Sequence, residues 1–319
     1  MAKTLKSLSP GTTLIVPGSN YNGVPLILRK LADDHHATGT TLLDTRDIID
    51  LIAVDGKEPS NSDTGRKNYG NSNYGVSNIR KYLNSLGPDW YTPQHAQDAP
   101  PNAANIWEGH GPYDKRYGFL SAFPTEFVER IVTTTLTTVV PDIDGAGVST
   151  QKDKVFLLSR TEVGLGDERE AEGKVIPFFK NNTARLKKPT QQALDNTTYT
   201  NSGLAASKTW YWWLRSPIAT NTRNVRYVSF DGTLHNYLAY AGNFGAAPAL
   251  NLPSDTLVSD APNAQGHYKI ILTPPIEAPK IKIGTENKEI LEMYLKVDGS
   301  NKAIVEAHIS IDGVKKQWF

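Results

Sequence analysis

The chain has 319 residues, with 34 Lys and Arg against 33 Asp and Glu and a net charge of +1. This length suggests two domains, and the balanced charge argues against a nucleic-acid-binding protein or a polybasic membrane anchor. The chain has no cysteine, which excludes disulfides and thiol catalysis, and we expect neither a transmembrane helix nor a secretory signal from its apolar runs.

Short strands and turns are predicted for the first part of the chain. Apolar runs predict strands at 13–17, 24–29 and 41–44, and Asn22-Gly23 predicts a hairpin turn. A helix is predicted at 77–84, because its apolar residues recur at helical spacing, and Ser77 is a suitable N-cap. The inward face of this helix is formed by Ile79, Tyr82 and Leu83.

The middle of the chain combines a long loop with a second helix. Residues 58–75 and 91–118 are polar or rich in Pro, Gly and Asn, and both are predicted as loops. A short helix is predicted at 124–130. Strands are predicted at 131–140 and 154–159, a turn at 141–152, and an irregular stretch at 161–209.

Aromatic strands and a polar boundary follow. Residues 210–217, 224–230, 233–240 and 247–251 are predicted as strands, with a turn at Asp231-Gly232. The composition then changes, which predicts a first domain at 1–252, a linker at 253–266 and a small β module at 267–319. Four strand-like runs are predicted in that module, at 268–272, 280–283, 291–297 and 303–311.

Four motifs carry a resemblance to a known family. Trp212-Trp-Leu-Arg-Ser-Pro217 resembles the hallmark of a widespread uncharacterised domain family of Firmicutes and their phages. The helix at 77–84, the strand at 154–163 and the final strand at 245–252 resemble further motifs of that family in the same order. The resemblance covers residues ~10–252, although Ala247 stands where the family motif has an arginine.

That resemblance implies a C-type-lectin-like fold, similar to sulfatase-modifying factors and phage receptor-binding proteins. The expected architecture is α+β: a mixed sheet with two short helices and long loops, plus a small C-terminal all-β module. The cysteines of formylglycine-generating enzymes and the EPN- or QPD-type calcium and sugar motif of lectins are absent. The resemblance therefore implies the fold without that enzymatic chemistry.

Aromatic residues in two regions are the candidate ligand contacts. Rings in a Pro- and Gly-rich loop of low charge are typical of glycan or protein contact surfaces, although they can also pack the loop onto the domain. The candidates are Trp90, Tyr91, His95, Trp107, His110, Tyr113 and Tyr117 in and beside the loop, and Tyr227, His235, Tyr237 and Tyr240 in the later hairpin. A structural role is expected for Trp212, Trp213, Arg215, Pro217, Arg80 and Asn84.

The sequence favours no metal, cofactor or catalytic site. His35-His36 beside Asp33-Asp34 suggests metal ligands, but adjacent residues rarely point at one ion. Asp142 to Gly145 resembles the start of a calcium loop without its later acidic ligands. Glu168, Glu170 and Glu172 are expected to be solvated, and no GxSxG elbow is present.

Together with the absence of a catalytic motif, the resemblance implies a non-catalytic phage virion surface protein, tail-associated, that binds a host surface glycan or protein. The alternatives are a capsid or tail decoration protein with an outward-facing lectin-like domain, a bacterial surface adhesin and a cell-wall hydrolase. We expect the C-terminal module to bind other virion proteins, an oligomeric state on the particle, assembly in the host cytoplasm, and no nucleic acid or membrane insertion.

Overall fold

The computed structural model describes residues 3–272 and, beyond them, the backbone of five strands. Among the described residues, none of the helices combines the length and apolar character needed to cross a membrane. The α-helices of this part are α1 (Thr64–Tyr69), α2 (Asn78–Leu83), α3 (Thr125–Arg130), α4 (Asn182–Arg185) and α5 (Gln191–Asp195).

Fifteen strands lie within the continuous part of the structure. They are β1 (Lys3–Thr4), β2 (Thr13–Ile15), β3 (Ile27–Asp33), β4 (Thr40–Thr45), β5 (Asp50–Leu51), β6 (Thr134–Val139), β7 (Val148–Asp153), β8 (Val155–Phe156), β9 (Trp212–Pro217), β10 (Asn224–Val228), β11 (Leu234–Leu238), β12 (Gly245–Ala246), β13 (Ala249–Pro253), β14 (Leu257–Val258) and β15 (Tyr268–Lys269).

Two sheets organise this unit. One has six strands in the order β15-β2-β3-β4-β13-β8, and the other has five in the order β11-β10-β9-β12-β5. All neighbours are antiparallel except β15 with β2 and β12 with β9. Strand β4 is buried along its whole length, as expected for a central strand covered on both faces.

Helix α2 forms as its sequence predicts. The Ser77 hydroxyl caps the helix by accepting from the backbone N–H of Arg80. Ile79, Tyr82 and Leu83 are buried in the largest apolar cluster. Helix α3 buries Phe127 in the same cluster, which confirms the second predicted helix.

Two predicted turns are confirmed. Asn22 and Gly23 both have positive φ, 53° and 91°, between the bridged residues Tyr21 and Val24. Positive φ at both central residues is what a type I′ turn requires, which explains the Asn-Gly pair. Gly232 (φ 84°) closes the hairpin of β10 and β11, and a side chain there would collide with the backbone of Asn182.

The structure corrects three predicted irregular segments. The loop at 58–75 contains α1, capped by Asp63, and the stretch at 161–209 contains α4 and α5. The turn predicted at 141–152 ends at residue 147, because the residues from Val148 onward form strand β7, which pairs with β6. These elements are short and polar, so their apolar residues are too few to produce a periodic signal.

The unit boundary also differs from the prediction. The chain divides into compact units at 1–272 and 273–319. The predicted linker at 253–266 contains β14, which pairs with β1, and the first strand predicted for the β module is β15, which pairs with β2. Val258 and Ile270 are fully buried, so this segment completes the first unit.

The second unit contains strands only, as far as the structure describes it. These strands are β16 (Lys280–Ile283), β17 (Glu286–Glu289), β18 (Glu292–Val297), β19 (Ile304–Ile311) and β20 (Val314–Gln317). They form an antiparallel pair, β16-β17, and an antiparallel three-stranded sheet, β18-β19-β20. The other residues of the predicted module, from 273 onward, lie outside the described residues.

The fold is therefore α+β, mostly strands with a few short helices, and the predicted fold class is confirmed. The described residues contain five short α-helices rather than two. The likeness to C-type lectins stays a prediction.

Candidate functional site

The sequence motifs of the chain converge in its interior. The guanidinium of Arg80 on α2 donates through Nε to both carboxylate oxygens of Asp153, each at 3.0 Å. Asn84, at the end of the same helix, donates to the carbonyl of Val155 and accepts from the backbone N–H of Lys154, both at 2.8 Å. The helix motif is thereby fastened to the strand motif that follows residue 153.

The strand motif is joined in turn to Arg215 of β9. Both carboxylate oxygens of the buried Glu162 accept from the Arg215 guanidinium, at 2.6 and 3.0 Å. Burial alone raises the pKa of Glu162. Arg215 and the His36 ring nevertheless hold this pKa well below its usual range. Arg215 also donates to the carbonyls of Leu157 and Glu172, so it is a structural tie in the core.

The two tryptophans of β9 fill opposite sides of the sheet. Trp212 belongs to one apolar cluster and Trp213 to the other, as the alternation of side chains along a strand requires. Their indole N–H groups donate to the carbonyls of Arg185 and Ile52, at 3.0 and 2.9 Å. Both rings are completely buried and Pro217 beside them is buried too, which leaves no surface for a ligand.

A histidine pair lies beside the same ion pair. One nitrogen each of His35 and His36 and an oxygen of Glu162 lie within 4.8 Å of one another. Glu162 could not be predicted from the sequence as a third member of this group, because it lies far from the two histidines along the chain. Since Arg215 already engages both oxygens of Glu162, its positive charge opposes a cation at this position.

Two candidate residues of the 91–118 loop region belong to the core instead. Trp90 and Tyr113 stack in parallel with their rings 5.5 Å apart, and both are buried. The Trp90 indole donates to the carbonyl of Tyr113, and the Tyr113 hydroxyl donates to the carbonyl of Ala53. These rings attach the long loop to the domain, so they are corrected from ligand contacts to packing residues.

Tyr91 and His95 lie beside three carboxylates that the sequence did not group. His95 Nε2 is 2.9 Å from an oxygen of the buried Glu58. Burial, with Asp98 and Glu58 nearby, raises the pKa of Asp55 well above its usual range, and burial also raises the pKa of Asp98. Backbone N–H groups of residues 71 and 78 donate to Asp55, and the Asn78 side-chain amide donates to Asp98, so this group ties the loop to α2.

Trp107 and His110 remain at the surface, half-buried. Both rings contact Tyr199, with centroids 5.8 and 5.3 Å away. His110 Nδ1 lies 2.8 Å from the hydroxyl of Thr198, which holds the imidazole against this segment. The loop therefore meets residues 198–199, a segment that the sequence showed only as irregular.

The hairpin of β10 and β11 contributes a second group of rings. The Tyr227 ring stacks against His235 of the neighbouring strand at 5.9 Å and contacts Tyr211 at 5.5 Å. Phe244, which is buried beneath them, lies 4.7 Å from Tyr227 and 5.2 Å from Tyr237. The rings of Tyr227 and Tyr237 therefore pack on a buried aromatic side chain.

Ring contacts connect the two groups through Trp210, whose own ring is buried. Tyr199 lies 6.3 Å from Trp210, and Trp210 lies 4.7 Å from Tyr211, which reaches the hairpin. Phe230 adds a 52% exposed ring that contacts Tyr211. We call this feature the aromatic surface; it consists of Trp107, His110, Tyr199, Trp210, Tyr211, Tyr227, Phe230, His235 and Tyr237.

A pocket of about 570 Å³ opens in the aromatic surface. Its walls include Tyr199, Trp210, Tyr211 and Phe230, none of which was a sequence candidate. Burial is the main cause that raises the pKa of Tyr211, so its hydroxyl stays protonated at neutral pH. The aromatic run at 210–213 could have pointed to Trp210 and Tyr211, but no local pattern distinguishes Tyr199.

Two further candidates lie apart from these ring contacts. Tyr117 is 64% exposed and lines a different pocket with Arg116 and Asn20. Tyr240 is half-buried against Tyr69, and the Lys57 amine lies over its ring. The structure therefore brings together five of the eleven sequence candidates in the aromatic surface: Trp107, His110, Tyr227, His235 and Tyr237.

Comparison with known proteins identifies one family. A search of curated proteins and a search of solved structures both find no match to this chain. A family model described as a domain of unknown function, DUF6273, matches residues 38–254. This match includes the long loop, the buried motifs and the aromatic surface, and it spans more than half of the chain. The chain therefore belongs to the DUF6273 family.

Proposed function

We propose that this chain is a non-catalytic, tail-associated virion surface protein that uses the aromatic surface to bind a glycan on the host cell. The observation that carries the proposal is the run of contacting rings from Trp107 to Tyr237, all partly exposed except the buried Trp210, around an open pocket. The attachment to a virion follows from the resemblance of the sequence motifs to a family of Firmicutes and their phages.

Aromatic rings suit sugars for a physical reason. One face of a pyranose ring exposes mainly C–H groups, and these pack against the electron-rich face of Tyr or Trp. Tyrosine and tryptophan present this area with few rotatable bonds, so little conformational entropy is lost on binding. The hairpin rings here contact one another and the buried Phe244, which further limits their motion before a ligand arrives.

Polar groups at the pocket can select the ligand. Asn201 and Ser207 line it beside the rings, and the Asn201 side chain reaches the Tyr199 hydroxyl at 3.3 Å. An apolar wall with a few convergent polar groups is the usual composition of a small-ligand site. Sugars present both kinds of surface at once, so the composition of the pocket favours them over purely apolar ligands.

The test is binding of the labelled full chain to isolated Gram-positive cell walls and to an oligosaccharide array. Phe230→Ala and Tyr237→Ala each remove an exposed ring, and we expect saturable binding to weaken about 3- to 10-fold. Tyr117→Ala is the matched control, because it removes an exposed tyrosine outside the aromatic surface. Thermal unfolding of each variant confirms that the fold is intact.

Two outcomes would contradict the proposal. One is the absence of saturable binding to every wall fraction and oligosaccharide by a folded preparation. The other is an equal loss of binding in the Tyr117→Ala control and in the two surface variants.

A further inference from the structure

The pocket in the aromatic surface carries an uneven distribution of charge. Ten residues line it, and among them are two lysines, Lys188 and Lys208, and no acidic residue. Both lysines are exposed. In a chain whose overall charge is nearly balanced, this pocket is locally basic.

The two amines are free to meet an anion. The Lys208 amine donates to the carbonyl of Ser202 at 3.0 Å, which directs it without neutralising its charge. Within the part of the chain that the structure describes, Lys188 has no carboxylate partner. Its backbone carbonyl accepts from the N–H of Ile48, so the start of the side chain is fixed to the core.

A carboxylate at the neighbouring hairpin turn already accepts hydrogen bonds from another residue. Asp231, at the hairpin turn, accepts from both the backbone N–H and the hydroxyl of Thr233. These hydrogen bonds lower the pKa of Asp231, which keeps it charged and turned toward its own turn. It therefore does not neutralise the lysines by a direct ion pair.

From this arrangement we infer that the pocket takes an anionic sugar unit, with its ring against Tyr211 and Phe230 and its carboxylate or phosphate at Lys188 and Lys208. The inference rests on the proposed function and names the ligand class of the same site. An ammonium supplies three donors to the oxygens of either anion, so the lysines alone do not separate a uronic acid from a sugar phosphate.

The experiment uses an array of matched oligosaccharides, each present as a neutral, a carboxylated and a phosphorylated form. We expect the full chain to bind at least one charged form about 5-fold or more tightly than its neutral counterpart, and this preference to shrink as salt rises. Which charged form is preferred identifies the anion. In the double variant Lys188→Gln/Lys208→Gln, the preference should disappear while binding of the neutral form is retained.

The matched control is Lys6→Gln/Lys269→Gln, which removes two exposed lysines that do not line the pocket. Equal binding of neutral and charged forms overturns the inference and leaves the proposed function standing. A preference that is lost equally in the control also overturns it, because a general charge effect would then explain the data. Absence of binding to all three forms overturns both the inference and the proposed function.

Discussion

Arg215 and Glu162 form a two-pronged ion pair in the core, with Nη1 2.6 Å from Oε2 and Nη2 3.0 Å from Oε1. Both side chains are almost completely buried, at 1% and 0% exposure. The planar guanidinium matches the two carboxylate oxygens, which a lysine cannot do. The pair therefore joins β9 to the segment after β8 and explains why the Trp-Trp motif carries an arginine.

Breaking this pair should destabilise the protein strongly. Glu162→Gln leaves a buried guanidinium without its counter-charge, and we expect the free energy of unfolding to fall by about 3–5 kcal/mol in urea denaturation. Arg46→Met is the control, because Arg46 pairs with Asp47 at the surface and should cost less than about 1 kcal/mol. Similar losses in the two variants would contradict a structural role for the buried pair.

Tyr113 and Trp107 should respond differently to truncation. Tyr113→Ala empties a buried site and should lower the free energy of unfolding by about 3–5 kcal/mol, whereas Tyr113→Phe removes one hydrogen bond, worth about 1 kcal/mol. Trp107→Ala should weaken wall binding with a smaller loss of stability, because its ring is half-buried. Denaturant titration measures the loss of stability, and the wall-binding assay measures the loss of binding. A Tyr113→Ala variant as stable as the unchanged protein would disprove the assignment of Tyr113 to the core.

His35 should make stability depend on pH. Burial, with His36 nearby, lowers the pKa of His35 to about 4, against 6.5 as the ordinary value. Between pH 6.5 and about 4 the unfolded chain therefore binds a proton that the folded chain does not, and stability falls as the pH falls through this range. In His35→Asn the loss between pH 7 and pH 4.5 should be smaller.

This comparison is made on unfolding free energies at the two pH values. Contributions from carboxylates of lowered pKa, such as Asp44, are shared by both proteins and cancel in the difference. Identical pH slopes for the two proteins would show that His35 has an ordinary pKa in the fold.

The position of the unit boundary gives a truncation test. Ending the chain after Leu272 retains the whole first unit, and we expect it to fold with unchanged thermal stability. Ending it after Leu252 removes Val258 and Ile270 from the core, together with the strand partner of β1. At about 1.5–3 kcal/mol for each buried side chain, that protein should be destabilised by roughly 3–6 kcal/mol or fail to fold.

The two truncations are compared by circular dichroism and by urea denaturation. Equal stability of both proteins would support the boundary at residue 252 that the composition suggests. Failure of both would mean that the residues after 272 contribute to the stability of the first unit.

Local signals determined a large part of this fold. The Asn22-Gly23 and Asp231-Gly232 turns, the helix around Ile79 and the strands of apolar sequence all follow from backbone sterics and side-chain periodicity, which operate over a few residues. Strand β7 shows the limit, because its sequence is polar and its pairing with β6 supplies the order that its own residues do not specify.

The candidate site is formed by contacts between residues that lie far apart in the sequence. Aromatic sequence alone could not distinguish Trp90, which is buried against Tyr113, from Trp107, which stays at the surface. Nor could it place Tyr199 beside Trp210, because that contact joins an irregular segment to a strand. The sequence by itself determined the α+β class, the turns and the buried role of the Trp-Trp motif. Only the tertiary structure decided which rings share a surface, since burial is a property of the whole packed chain.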